Sequence, residues 1–176
     1  MNESKQRDPS DELENLLDLL GPILAHIASL APAEVVDQAQ AGRLEADLER
    51  TFPHGGEQIQ GLGTLLERGV REGWLANRGG GDASFSRVSK PCPRTHALSV
   101  DVVSMVGSGL DHTHPMGEIT IGFPARMEGS PSCRFESRAP AWVFLPPNSR
   151  HVPTVVGERM NLIYFLPDGA VEWHRG

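Results

Sequence analysis

The apolar period of this chain changes once, at Asn77-Arg78-Gly79-Gly80-Gly81. Upstream, apolar residues recur at three- and four-residue spacing, the repeat of amphipathic helices. Downstream they alternate in short segments parted by Gly, Pro, Asn and Asp, the repeat of strands. Helices followed by strands, rather than the two in alternation, define an α+β chain. Its 176 residues suffice for one core and leave little room for a second. The expected organisation is a helical region over residues 1–78, packing on the second half or on a neighbouring subunit. Residues 79–176 should then form a small antiparallel β-barrel or sandwich.

In the first region Leu13, Leu16, Leu17, Leu20, Leu24 and Ile27 form one stripe, with Ser10 or Asp11 as N-cap. Gly21-Pro22 should kink or split that helix. Further helices are expected over residues 34–49 and 57–75, the latter with Ile59, Leu62, Leu65, Leu66 and Val70 on one face. Strands are expected over residues 84–89, 97–105, 118–123, 141–145, 151–156, 159–166 and 170–174. The run of glycines at 79–81 lacks the Lys-Ser/Thr of a phosphate loop and opens no helix, so it reads as a flexible connection.

Charge excludes some partners. Residues 1–50 hold 11 acids and 4 bases, which accounts for the whole net charge of −7. The remainder is balanced, and all its bases except Lys90 are arginine. Without a basic stripe, nucleic acid is not an expected partner. No membrane association is expected either, because no apolar run approaches the roughly 18 residues that span a bilayer. The polar N-terminus lacks the apolar core of a secretory signal, so a cytoplasmic protein is expected. Cys92 and Cys133 need not pair in that compartment.

The chemistry concentrates in Asp111-His112-Thr113-His114-Pro115-Met116-Gly117-Glu118. On an extended strand His112 and His114 point the same way. A turn through Pro115-Met116-Gly117 would return Glu118 beside them on the neighbouring strand. Two imidazoles and a carboxylate suit a divalent transition metal with open positions. A second stretch, Pro146-Pro147-Asn148-Ser149-Arg150-His151, reads as a tight turn entering a strand at His151, with Asn148 in the left-handed conformation.

Together, His112-x-His114-x3-Glu118, Gly122 and Pro146-x4-His151 resemble the two-part metal signature of the cupin superfamily. The resemblance spans roughly residues 95–170 and implies a jelly-roll β-barrel with His112, His114, Glu118 and His151 as ligands. Fe, Mn, Ni, Co and Zn all fit such a set. Two departures concern turns rather than ligands: Gly107 stands one position closer to His112 than the usual motif glycine, and Asn148 replaces a glycine.

A narrower resemblance covers both halves. Glu72-Gly73-Trp74-Leu75-Ala76-Asn77-Arg78, Leu98-Ser99-Val100-Asp101-Val102-Val103, His112 to Ile119, His151-x-Pro153-Thr154-Val155 and Tyr164-Phe165-Leu166-Pro167 are similar to the bacterial 4-hydroxylaminobenzoate lyase family. That family converts 4-hydroxylaminobenzoate to protocatechuate and ammonia in nitroaromatic breakdown. The resemblance implies a lyase acting on a small aromatic carboxylate, with Glu118, His114 and Tyr164 as catalytic groups. Arg78, Arg87, Arg126, Arg134, Arg138 and Arg150 are candidates to hold the carboxylate, Arg78 and Arg150 foremost. Trp142, Phe144 or Phe123 would supply aromatic walls, and His96 precedes a strand that can bring it to the cavity. His26 is expected in a core or edge role on its helix, His54 in an exposed loop and His174 in solvent. A homodimer or higher homo-oligomer is expected. The same ligands also suit a metal-dependent dioxygenase acting on a small aromatic or thiol substrate, or a non-catalytic ligand-binding barrel.

Overall fold

The computed structural model describes residues 8–129 and 132–174. Helix α1, Pro9–Ser29, begins at Asp8, whose carboxylate accepts the Ser10 N–H at 2.9 Å. The cap is thus Asp8 rather than Ser10 or Asp11, and Pro9 takes the first-turn position where its missing N–H costs nothing. Nor does Pro22 split the helix, which runs through it unbroken. Leu16, Leu20, Ile23, Leu24 and Ile27 are all 1% exposed or less. Burying each contributes about 1.5–3 kcal/mol, enough together to outweigh the roughly 3 kcal/mol of an internal proline. The segment Pro9–Glu34 is also long and apolar enough, by length and composition, to cross a membrane, contrary to the sequence expectation. Its buried leucines and isoleucines are nevertheless committed to the core.

A 3-10 turn, Pro32–Glu34, precedes α2, Gln38–Thr51. The helix starts later than expected because Asp37 caps it, accepting from Gln40 N at 2.7 Å. It buries Ala41, Leu44 and Leu48. Helix α3, Glu57–Glu72, buries Ile59, Leu62, Leu65 and Leu66 and stops short of Leu75. Gly73 ends it in the left-handed conformation, where a residue without a Cβ pays no penalty. The buried Glu12 of α1 takes a bidentate pair from Arg68 of α3 at 2.9 and 2.7 Å.

The strands are β1 Arg78–Gly80, β2 Ala83–Ser89, β3 Leu98–Ser108, β4 His112–His114, β5 Glu118–Pro124, β6 Cys133–Phe135, β7 Trp142–Leu145, β8 Ser149–His151, β9 Thr154–Pro167 and β10 Glu172–Trp173. Arg78–Gly80 is therefore an edge strand paired with β2, not a flexible connection. The strands expected over 151–156 and 159–166 divide differently: His151 ends β8, and β9 continues through Gly157 at φ 89°. A Cβ on Gly157 would lie 2.0 Å from the Ser132 carbonyl oxygen, so only glycine lets β6 pair there.

All pairings between these strands are antiparallel. One sheet has the order β1-β2-β3-β9-β5-β7, with β6 also on β9, and a smaller sheet has the order β10-β4-β8. The large sheet is buried on both faces. Val100, Val102, Ile119, Ile121, Phe123, Trp142, Phe144, Ile163 and Phe165 share a cluster with the apolar faces of α1, α2 and α3. The alternate residues Met105, Val143, Met160, Leu162, Tyr164 and Leu166 form a second cluster on the opposite face. Glu45 of α2 accepts from Phe144 N at 2.8 Å and from Arg138 at 2.6 Å, covering the free edge of β7. The helices and the first sheet thus form one core. This α+β arrangement, helices then antiparallel sheets, is the class expected from the sequence.

Candidate metal centre

Alternation on β4 buries His112 and His114 on one side and turns Thr113 the other way, where its hydroxyl meets His174 at 2.7 Å. His174 is consequently half-buried rather than solvated. Gly117, at φ 87°, closes the expected turn with its N–H on the His114 carbonyl at 3.2 Å. The turn does not lead to a neighbouring strand. β4 pairs with β8 and β10, whereas β5 pairs with β7 and β9, so the chain crosses between sheets and delivers Glu118 from the facing one. Asn148 is left-handed at φ 65°, and its N–H also donates to the His114 carbonyl, at 2.8 Å. It sets the register that places His151 opposite His112.

One ligand atom from each of His112, His114, Glu118 and His151 lies within 4.8 Å of the others. His112 donates from Nδ1 to the Leu110 carbonyl at 2.7 Å, which leaves Nε2 as its lone-pair nitrogen. That atom is 2.7 Å from His114 Nε2. Glu118 is fully buried; Thr120 donates to its Oε1 at 2.7 Å, while Oε2 lies 2.5 Å from His114 Nε2 and 3.5 Å from His151 Nε2. Those two approaches to Oε2 lack hydrogen-bond alignment. Glu118 Oε2, His114 Nδ1 and both ring nitrogens of His151 are buried without a hydrogen-bond partner. The orphaned Glu118 Oε2 and His151 Nε2, 3.5 Å apart, fit a bound cation between them, and a set of three imidazoles and one carboxylate suits a divalent transition metal.

The electrostatics are those of a tight acid–base cluster. Burial alone would raise the Glu118 carboxyl, but His114 and His151 outweigh it and hold it at about 2. Burial depresses His151, and Glu118 with Glu136 reverses this, raising it to about 9. His112 is lowered, mainly by burial. Burial and then the charges of Glu118 and Glu136 push the Tyr164 hydroxyl well above its usual range, so it stays a proton donor.

A cavity of about 770 Å³ opens over His112 and His114. Its walls include Met105, Tyr164, Phe85 and Trp173, with Arg78 and Arg87 among its polar groups. Arg87 is engaged by Asp101 at 2.8 Å. Arg78 has no ion pair among the described residues, and it is exposed beside Phe85, its partner in register.

Several residues expected against the substrate lie elsewhere. Trp142 faces the helices, buried, with Nε1 donating to the Phe52 carbonyl at 2.9 Å. Phe123 and Phe144 share that face. Arg150 points out from β8 and pairs with Asp111 at 2.6 Å, since neighbours on a strand face opposite ways. His96 is exposed and left-handed after a 3-10 turn, and it lines a separate hollow of about 210 Å³ with Ala28 and Pro32. Leu98, Val100 and Val102 do point inward, but toward the helices; the cavity face of β3 is Asp101, Val103 and Met105. His54 is half-buried, bonded to the Gly122 carbonyl at 2.8 Å and stacked on Phe123. His26 is at a helix edge as expected, contacting Asp47 at 2.6 Å.

Sequence reasoning missed the aromatic wall of Phe85 and Trp173, the latter with its ring 4.9 Å from that of His112. Both are exposed strand residues, and the signal available was an aromatic on the face a soluble strand ordinarily gives to polar groups. It also missed Glu136, which faces His151 from the turn after β6 at 3.5 Å.

The helical layer, the antiparallel sheets and the inward cluster of three histidines with Glu118 define an α+β protein with a site able to hold a metal. Residues 26–173 match the family model described as PnbB, 4-hydroxylaminobenzoate lyase, and the chain belongs to that family. It is 28% identical to the 4-hydroxylaminobenzoate lyase of Pseudomonas putida, over 80% of this chain and 88% of the relative. It is likewise 28% identical to the enzyme of that name from a Nocardioides species (strain LMS-CY), over 80% and 86%. Among solved structures, an RmlC-like cupin from Ralstonia eutropha is similar at a TM-score of 0.40 and 14% identity, over 53% of this chain and 60% of that one. The DMSP lyase DddQ from Ruegeria pomeroyi is similar at 0.44 and 17%, over 93% and 96%.

Proposed function

We propose that this protein is a cytoplasmic lyase converting 4-hydroxylaminobenzoate and water to protocatechuate and ammonia. The observation that carries the reading is that His112 and His114, two members of the cluster with Glu118 and His151, line an apolar-walled cavity that Arg78 also lines. An aromatic ring with a polar nitrogen group at one end and a carboxylate at the other matches that distribution. Family membership supports the same substrate.

The reaction is redox-neutral: the N–O bond breaks and its oxygen leaves as water, one water adds to the neighbouring ring carbon, and a second replaces the nitrogen, which leaves as ammonia, for a net uptake of one water. It requires a proton for the departing oxygen, a base for the entering water and further protons for nitrogen. Arg78 orients the carboxylate by charge-assisted hydrogen bonds, and Phe85 and Trp173 enclose the ring and exclude water. Tyr164, held protonated, donates to the departing oxygen. Where no ion is bound, His114, against the ionised Glu118, accepts and returns protons. His112, His114, Glu118 and His151 would hold a divalent Fe, Mn, Ni, Co or Zn ion, which when bound supplies Lewis acidity toward oxygen or nitrogen donors.

Incubating metal-loaded protein with 4-hydroxylaminobenzoate while following substrate, ammonia and dissolved oxygen tests this. Stoichiometric ammonia and protocatechuate without oxygen uptake is the expected result. Oxygen consumption with a catechol or thiol would replace it with the dioxygenase reading, and binding without turnover with the ligand-binding one.

A further inference from the structure

Glu136 lies outside the four-residue cluster, in a turn held in an unusual backbone. After β6, Glu136 and Ser137 are both left-handed, at φ 49° and 64°. The turn closes through reciprocal 2.9 Å hydrogen bonds between Phe135 and Arg138. Such two-residue turns favour Asn and Gly, and two ordinary side chains there carry a conformational cost. Strain of this kind persists where its surroundings over-determine it, often beside functional sites.

The surroundings here are the segment just after His151. Glu136 N–H donates to the Thr154 carbonyl at 3.1 Å, and Thr154 N–H donates back to Glu136 Oε1 at 3.1 Å. The backbone and carboxylate of one residue are therefore both tied to Thr154. This fixes Oε1 at 3.5 Å from His151 Nδ1, an ion-pair distance, with the His151 side chain only 10% exposed. On the other side of the ring, Nε2 faces Glu118 at 3.5 Å. His112 is backed in the same sense, its Nδ1 bonded to the Leu110 carbonyl.

We propose that Glu136 is a positioning residue of the metal site: with an ion bound, its carboxylate accepts a hydrogen bond from His151 Nδ1–H, fixing the tautomer and aiming Nε2 at the ion. A carboxylate behind a ligating imidazole orients the ring and strengthens it as a donor. This assignment rests on the metal-site reading above.

The test is Co(II) binding to chelator-stripped protein, measured by competition with a chromophoric chelator and by the visible Co(II) spectrum. The variants are Glu136→Gln and Glu136→Ala. Glutamine keeps an oxygen for Thr154 N–H but loses the charge that faces His151, so metal-free E136Q should keep the parent's far-ultraviolet circular dichroism spectrum. Both variants should weaken Co(II) binding by roughly 10–100-fold and alter its spectrum. If E136Q binds as tightly as the parent with an unchanged spectrum, Glu136 only ties the turn to Thr154 and the proposal fails. If the parent binds no stoichiometric Co(II), the metal site itself fails and takes this assignment with it.

Discussion

His112 and His151 are partners in register across the β4–β8 ladder, and their rings stand 4.7 Å apart. Backbone pairing, not side-chain contact alone, therefore sets the spacing of two proposed ligands, while Glu118 arrives from the other sheet. The ladder should survive removal of a single imidazole. Substituting His114 or His151 by alanine is expected to abolish stoichiometric metal binding and activity together, with the far-ultraviolet circular dichroism spectrum unchanged. Activity retained in H114A at full rate after metal stripping would show that the remaining groups act only as proton carriers.

The metal-free protein should carry a pH signature from the same cluster. His151 is raised to about 9 in the fold from an ordinary 6.5. Its contribution to stability is thus complete below about 6.5 and lost as pH rises through about 9. Glu118 is depressed to about 2 from 4.5. Its contribution is present above about 4.5 and lost as pH falls through about 2. These two groups together give the metal-free protein its greatest stability between about pH 4.5 and 6.5. Metal binding must displace the His151 proton, so affinity should climb with pH toward about 9. Denaturant melts across pH with and without Zn(II) check both signs; a metal-free optimum above pH 8 would contradict them.

The ligands were legible in sequence because each motif is local: alternation orients His112 with His114, and Asn148 takes the left-handed turn before His151. The walls were not. A sheet buried on both faces gives its apolar positions no label for which face holds the site. Leu98 and Val100, in sequence parity with His96, point to the helices and not to the cavity. Glu136 was invisible for another reason, since the turn that carries it meets His151 only through the pairing of β6 with β9. Pro22 misled because local propensity says nothing about the packing that overrides it.

Arg78 and Lys90 both line the cavity without an ion pair among the described residues, but only Arg78 offers a planar fork to a carboxylate. Arg78→Ala is expected to raise KM for 4-hydroxylaminobenzoate roughly tenfold or more, with a smaller change in kcat. Arg78→Lys should recover only part of the loss. An unchanged KM in steady-state kinetics would remove Arg78 from the substrate site.

Tyr164 lies opposite Asp101 in β3 and Thr120 in β5, on the cavity face of the large sheet. Tyr164→Phe keeps the ring and deletes the proton. It should lower kcat by roughly 10²-fold or more, the scale of general acid catalysis, with metal content unaltered. A parent-like kcat would assign proton delivery to the histidines.

Pro22 provides a test away from the chemistry. It lacks the N–H that would bond the Asp18 carbonyl within α1, and its own side chain is exposed while the next two residues, Ile23 and Leu24, are buried. If packing of that stripe holds the helix straight against the proline, then Pro22→Ala restores a hydrogen bond and removes a clash without disturbing the core. The substitution should stabilise the protein by about 1–3 kcal/mol, less than the full helix-propensity difference because proline also restricts the unfolded chain. In a chain of this size each kcal/mol raises the melting temperature by about 2–4 °C. Calorimetry of the metal-free protein measures the gain directly. An unchanged or lower melting temperature would mean that α1 relaxes locally at Pro22 and bears no penalty for it.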